Sequence, residues 1–193
     1  MNRREAIKRT AILSGYAVSA SFITGFLQGC QPSGAPDWEP QFLSPEQGQL
    51  VSEMADTIFP TTDTPGAKDV FVHEFMDLML KDCSDEKTQQ AFLSGIAEVD
   101  TDAQNAYGKA FAKCSDEQKL ELLNSLDQAA RAKVKAGLQP GEEAPFILTF
   151  KQLTFLGYFT SEAVGTTVLK YDPIPGNYDG CIALDEVGGT WAL

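Results

Sequence analysis

The sequence has a single histidine, His73, and this scarcity excludes most active sites that depend on imidazole. A Ser/His/Asp triad, a His-rich zinc site and a His-ligated haem each need at least this one residue. We expect His73 to be a surface or capping residue, because structural positions outnumber catalytic ones. The chain also lacks Cys-x-x-Cys, Cys-x-x-Cys-His and a Gly-x-Gly-x-x-Gly loop after a strand. We therefore predict no catalytic, cofactor-binding or metal-ligating residue in this chain.

Basic residues are also few: the chain has 15 of them against 27 acidic ones, for a net charge of −12. Residues 30–193 hold 11 basic and 26 acidic residues, with Arg131 as the only arginine. Nucleic acid and anionic lipid would be repelled by such a field, so neither is an expected partner. The balance favours a solvated acidic surface, and the alternative is electrostatic steering toward a basic partner protein.

The basic residues that remain are concentrated at the start of the chain. Arg3, Arg4, Lys8 and Arg9 precede an uncharged stretch, residues 11–27. This order is that of a secretory signal, and the stretch is too rich in Ser, Gly, Ala and Thr for a good membrane-spanning helix. The pair Arg3-Arg4 resembles the twin-arginine export motif, whose pathway carries folded proteins. The alternative is an uncleaved N-terminal anchor helix.

The signal ends in Leu27-Gln28-Gly29-Cys30, which resembles a lipobox. We therefore expect residues 1–29 to be removed and Cys30 to be lipidated, leaving an exported, membrane-anchored lipoprotein that faces the periplasm. Gln31 follows the cysteine, whereas an aspartate there would argue for inner-membrane retention, so an outer-membrane destination is slightly favoured.

Three cysteines are left once Cys30 is assigned to lipid, and an odd number in an oxidising compartment suggests one disulfide and one spare thiol. Cys83 and Cys114 share the context Cys-Ser-Asp-Glu, each just before an expected helix start. A bond between them would close a loop of about 30 residues and contribute roughly 3–4 kcal/mol. The alternative is that all three thiols are free and buried.

The rest of the chain predicts an all-α fold, an irregular helical bundle with an extended, irregular C-terminal arm. Apolar residues recur at helical spacing, and few segments alternate with period two. We expect a flexible tether over residues 30–43 and one domain over 44–193, with the arm at 171–193. Of the expected helices, one begins at Ser44-Pro45, one runs over 70–80, one begins at Ser84 or Asp85, one lies around Ala103–Phe111 and one begins at Ser115. The last runs over 146–169 as a central helix, bent or interrupted near Gly157 or Gly165.

Several segments together resemble one family, the small third subunit of gluconate 2-dehydrogenase and of related membrane-bound flavoprotein sugar dehydrogenases. The most specific segments are Leu-Gly-Tyr-Phe-Thr-Ser-Glu at 156–162 and Tyr-Asp-Pro-Ile-Pro-Gly-Asn-Tyr-Asp-Gly-Cys at 171–181. A further match is Ala-Asp-Thr-Ile-Phe-Pro at 55–60, running into Thr-Asp-Thr-Pro-Gly-Ala at 62–67.

The resemblance implies a non-catalytic accessory subunit that escorts and anchors a large flavin-dependent dehydrogenase of the glucose–methanol–choline type. FAD would lie on that large subunit, and haem c on a further cytochrome subunit. The alternatives are a stand-alone envelope lipoprotein that binds a small ligand or scaffolds other proteins, and an independent enzyme, which the missing motifs disfavour.

In that setting the resembling C-terminal residues become candidates for the partner interface, because aromatic residues are enriched at interface cores. The alternative is that the tyrosines pack on the chain's own helices. As the leftover thiol, Cys181 could bond a cysteine of the partner. The candidate interface residues are Tyr158, Tyr171, Asp172, Pro173, Pro175, Gly176, Tyr178 and Cys181.

Overall fold

The computed structural model describes residues 38–139, 142–174, 176–177 and 180–192, and within them the chain is helical. These residues form no β-strand, and their one strand-like pairing is a parallel bridge between Lys170 and Trp191. The all-α prediction is therefore confirmed. The α-helices are α1 (Pro45–Ile58), α2 (Val72–Cys83), α3 (Glu86–Tyr107), α4 (Asp116–Ala136), α5 (Phe146–Phe159), α6 (Glu162–Thr167) and α7 (Leu184–Val187), with a 3-10 turn at Phe111–Lys113 between α3 and α4.

Two helices begin where local side-chain chemistry predicts. At the start of α1, Gln47 N donates to Ser44 Oγ at 3.2 Å, and Ser44 N donates to Gln47 Oε1 at 2.8 Å. Ser115 and Gln118 form the same reciprocal pair at the start of α4. Each capping box satisfies backbone donors that the first helical turn leaves unpaired. The predicted starts at Ser44-Pro45 and Ser115 are confirmed.

The region between these helices differs from the prediction. The separate helix expected around Ala103–Phe111 is wrong, because Ala103 lies inside α3, which runs unbroken to Tyr107. The helix ends at Gly108, whose φ of +70° places it in the left-handed region that glycine adopts without strain. Phe111 is then fully buried in the 3-10 turn, and its N–H donates to Asp100 Oδ1 at 2.8 Å.

Helix α5 is the central helix, packing against α1, α2, α3 and α4. Its inward face buries Ile147, Phe150 and Thr154 within a core that also holds Met54 of α1 and Met76 of α2. The expected interruption exists, but it falls at Thr160–Ser161 and not at a glycine. Ser161 caps the start of α6, because its Oγ accepts a hydrogen bond from Val164 N at 3.4 Å.

The segment before α1 is held by one buried carboxylate. Asp77 of α2 is fully buried, and it accepts backbone hydrogen bonds from Gln41 at 2.6 Å, Phe42 at 3.1 Å and Leu43 at 2.8 Å. The described part of the predicted flexible tether, residues 38–43, is therefore packed on the domain. Sequence reasoning missed this contact, which joins residues more than thirty positions apart.

No helix among the described residues is both long enough and apolar enough to cross a membrane. The twin-arginine pair Arg3-Arg4, the lipidation candidate Cys30 and the rest of the predicted signal lie outside the described residues. Those predictions remain predictions.

Candidate partner interface

The single histidine is buried, so the expectation of a surface or capping role is wrong. His73 lies in the first turn of α2, is 7% exposed, and meets the ring of Trp38 edge-on with 4.9 Å between centroids. Its Nδ1 is buried without a hydrogen-bond partner. Burial lowers the pKa of His73; the nearby charge of Lys68 adds to this effect and that of Asp56 opposes it. The imidazole is a neutral core group facing an aromatic ring.

The strongest polar cluster ties the helices together. Glu53 of α1 bonds the ammonium of Lys119 at 2.6 Å and that of Lys68 at 2.7 Å, and Lys68 also lies 3.3 Å from Asp56. Burial opposes the charge of Glu53, but the hydrogen bonds from Lys119 and Lys68 outweigh it and hold its pKa below the usual value. Cations and carboxylates here neutralise one another, which suits a structural cross-link between α1 and α4. Among the described residues no cluster of His, Cys, Asp and Glu has the make-up of a metal site.

The unusual surface of the chain belongs to α5, which is apolar on its outward side as well as its inward side. Its sequence, Phe-Ile-Leu-Thr-Phe-Lys-Gln-Leu-Thr-Phe-Leu-Gly-Tyr-Phe, has one charged residue, Lys151. Phe155, Leu156 and Phe159 face outward and are 45%, 46% and 36% exposed. A helix that is hydrophobic all round is normally buried on all sides. The outward side of α5 therefore has the composition of a surface that another protein covers.

Phe59, at the end of α1, joins this surface and makes it an aromatic cluster. Its ring centroid lies 5.0 Å from that of Phe155 and 5.7 Å from that of Phe159, both edge-on. Beneath them, Tyr158 stacks flat on Phe59 at 4.1 Å. We call Phe59, Phe155, Leu156 and Phe159 the aromatic face. Large aromatic side chains gathered in this way are typical of the energetic centre of an interface.

Tyr158 itself is not on the surface. It is 4% exposed, and its hydroxyl donates to the carbonyl oxygen of Pro65 at 2.7 Å. The alternative considered for the tyrosines, packing on the chain's own helices, therefore holds for Tyr158, and its place among the interface candidates is corrected. It supports the aromatic face from below, since its ring backs Phe59 and its hydroxyl fixes the loop after α1.

The candidates in the C-terminal arm lie on the outside. Tyr171, Asp172, Pro173, Gly176 and Cys181 are all exposed, and Tyr171 shows 58% of its surface. Pro175 and Tyr178 lie outside the described residues. Whether these residues touch a partner stays a prediction.

The arm does not extend freely. Lys170 N donates to the carbonyl of Thr190 at 2.7 Å, and Ala192 N donates to the carbonyl of Lys170 at 2.8 Å. These bonds bring the end of the chain back to the point where the arm leaves α6. The arm is thus a loop closed at its base, and this closure was not predicted.

The predicted Cys83–Cys114 disulfide does not form in this structure. Cys114 is buried at the end of the 3-10 turn, where its Sγ lies 3.6 Å from the carbonyl oxygen of Ala110. Cys83 is exposed at the last residue of α2. The pairing is corrected because one thiol points into the core and the other into solvent.

The aromatic face was missed by reasoning from motifs, although the sequence carried its signal. Helical spacing of apolar residues such as Phe59 and Phe155 predicts a helix, but it does not say which side of that helix the fold covers. The available signal was the lack of any polar side on residues 146–159.

The model of one protein family, described as gluconate 2-dehydrogenase subunit 3, matches residues 45–176. The match spans α1 to α6, includes the whole aromatic face and ends inside the C-terminal loop. Searches of curated proteins and of solved structures found no match. Because the family model matches more than half of the chain, the chain belongs to the gluconate 2-dehydrogenase subunit 3 family.

Proposed function

We propose that this chain is the non-catalytic small subunit of a flavin-dependent dehydrogenase, and that it escorts the catalytic subunit across the membrane and anchors it there. Membership of a family of dehydrogenase subunits supports an accessory role in such a complex. The observation that carries the proposal is the aromatic face, an apolar surface on a chain whose net charge is −12. FAD, and haem c if present, would be bound by the partner subunits.

The aromatic face is the contact that the proposal assigns to the catalytic subunit. Single hot-spot aromatics contribute roughly 2 kcal/mol or more to an interface, so replacing two of them weakens binding by well over tenfold. The exposed loop after α6 is a second contact region in this proposal, since Tyr171 and Ile174 are 58% and 84% exposed.

The first experiment tests the contact. The double variant Phe155→Ser, Phe159→Ser is co-expressed with the flavoprotein subunit that the proposal names as partner, and the amount of flavoprotein that co-purifies is measured. We expect a loss of roughly tenfold or more with an unchanged helical circular-dichroism spectrum. Leu120→Ser is the matched control, because Leu120 is a 50% exposed apolar residue near the start of α4 and is not part of the aromatic face. Equal recovery with all variants would remove the aromatic face from the interface.

The second experiment separates escort from anchoring. Replacing Arg3 and Arg4 with lysine should keep dehydrogenase activity in the cytoplasm, because the partner would have no export signal of its own. Cys30→Ser should permit export but release the activity into the soluble periplasmic fraction. Envelope-bound activity in both variants would refute the escort and anchor roles.

A further inference from the structure

A groove of about 660 Å³ lies between the second half of α4 and the side of α5 that carries Leu148 and Phe155. Its apolar lining includes Val134 and Leu138 on one side and Leu148 and Phe155 on the other. Phe155 also belongs to the aromatic face, so the groove and that face form one continuous surface. Val134 is 42% exposed, so the part of the chain that the structure describes leaves this lining uncovered.

The charged residues that line the groove are all basic: Arg131 and Lys135 from α4, and Lys151 from α5. Arg131 and Lys151 share one carboxylate, that of Asp127, at 2.7 and 2.8 Å. Lys135 has no ion pair within the described part of the chain. The groove therefore carries an excess of positive charge beside its apolar lining.

This local charge is opposite to that of the chain as a whole. The chain has a net charge of −12, yet residues 128–138 contain three basic residues and no acidic one. Cations in the last turn of a helix stabilise it by opposing its dipole, and this accounts for Lys133 and Lys135. It does not account for Lys151, which lies on a different helix, in its second turn, and converges on the same groove.

The positive charge of the groove also indicates which kind of segment can bind there. The chain's own N-terminal segment carries Arg3, Arg4, Lys8 and Arg9, and it would be repelled by the groove. An occupant that fits presents apolar side chains toward Leu148 and Phe155 and carboxylates toward Lys135 and Arg131.

We propose that the groove binds an acidic amphipathic segment of the dehydrogenase catalytic subunit, next to the contact made by the aromatic face. The inference rests on the proposed function and adds to it a contact of defined charge. Complementary charge at the rim of an interface acts mainly on the association rate and on its dependence on salt. The aromatic face supplies affinity, and the groove supplies orientation and selection against basic surfaces.

The first test is charge reversal in the complete protein. Lys135→Glu should weaken binding of the purified catalytic subunit roughly tenfold at low ionic strength, with the difference shrinking as salt rises. Lys113→Glu is the matched control, since Lys113 is an exposed lysine outside the groove, and its effect should stay below about twofold. Equal affinities for the two variants at low salt would overturn the proposal.

The second test identifies the occupant by photo-cross-linking in cells, with a benzophenone amino acid at Leu148 in one variant and at Phe159 in another. A cross-link from Leu148 to a catalytic-subunit peptide rich in Asp and Glu supports the proposal. A cross-link from Leu148 only to lipid or to a second copy overturns it. If Phe159 reaches the catalytic subunit and Leu148 does not, the groove proposal fails while the proposed function stands. If neither position reaches that subunit, both fail.

Discussion

Asp77→Asn is the substitution that tests most directly how the segment before α1 is held. The carboxylate of Asp77 is fully buried; Oδ1 accepts two backbone N–H groups, from Phe42 and Leu43, and Oδ2 accepts one, from Gln41. An asparagine keeps one oxygen acceptor, but its amide group turns a donor toward the N–H that the second oxygen had accepted. One backbone donor is then left without a partner, and the remaining bonds lose their charge assistance.

The magnitude follows from those bonds. A hydrogen bond to a charged group contributes about 1.5–3 kcal/mol, against about 1 kcal/mol for a neutral one, and an unsatisfied buried donor costs about 1–3 kcal/mol. Because the bond from Leu43 is buried and those from Gln41 and Phe42 are only partly buried, we expect Asp77→Asn to lower the free energy of unfolding by about 2–4 kcal/mol. Asp82→Asn makes the same chemical change on the exposed side of α2, and it should change this free energy by less than about 0.5 kcal/mol.

Urea titration followed by circular dichroism gives the global value, and tryptophan fluorescence reports the segment itself. Trp38 packs against His73 and over Gly48, so its emission should shift to the red when residues 38–43 detach. A Trp191→Phe background leaves Trp38 as the only tryptophan in the chain. In Asp77→Asn the shift should come at lower urea than the loss of helix. An unchanged free energy of unfolding together with an unchanged Trp38 transition would refute the conclusion that Asp77 holds residues 38–43 on the domain.

Two further predictions concern the core. Burial lowers the pKa of His73, so the folded chain keeps the imidazole neutral while the unfolded chain binds a proton near pH 6.5. The free energy of unfolding should therefore fall as the pH drops below about 6.5, and it should level off once the pH is below the folded-state pKa. In urea titrations at a series of pH values, His73→Gln should remove this slope. Gly95→Ala should destabilise the fold by about 1–3 kcal/mol, because the new Cβ would lie 2.1 Å from the Phe146 ring. Gly165→Ala has no atom within 4 Å of its new Cβ and should stabilise α6 by up to about 1 kcal/mol. Changes of the same sign in the free energy of unfolding of the two variants would contradict this difference in packing.

Features that arise within a few residues of one another were predictable from the sequence. The two Ser/Gln capping boxes predict where their helices start, because the hydrogen bonds involved join residues only three positions apart. The central helix was visible as the most apolar stretch of the chain. The point where it breaks was not, because both glycines near it fit inside helices, and the break depends on the side chain of Ser161.

Features that depend on distant pairings were not predictable. Asp77 is one acidic residue among 27, and only the fold brings the segment before α1 against it. Similar sequence contexts around Cys83 and Cys114 suggested a bond, yet context does not say which way a side chain points. In the same way, the family resemblance made Tyr158 an interface candidate, and the fold places it beneath the face that Phe59, Phe155 and Phe159 present.

The closed C-terminal loop has a thermodynamic consequence for assembly. A free tail of the length of residues 171–190 would give up its full chain entropy on docking to another protein. The two backbone bonds at Lys170 already hold its ends together, and for about 20 residues the closure term is of the order of 2–3 kcal/mol. That share of the ordering cost is met when the domain folds, so exposed side chains such as Tyr171 and Ile174 reach a docking partner with a smaller entropy loss than the same residues on an open tail.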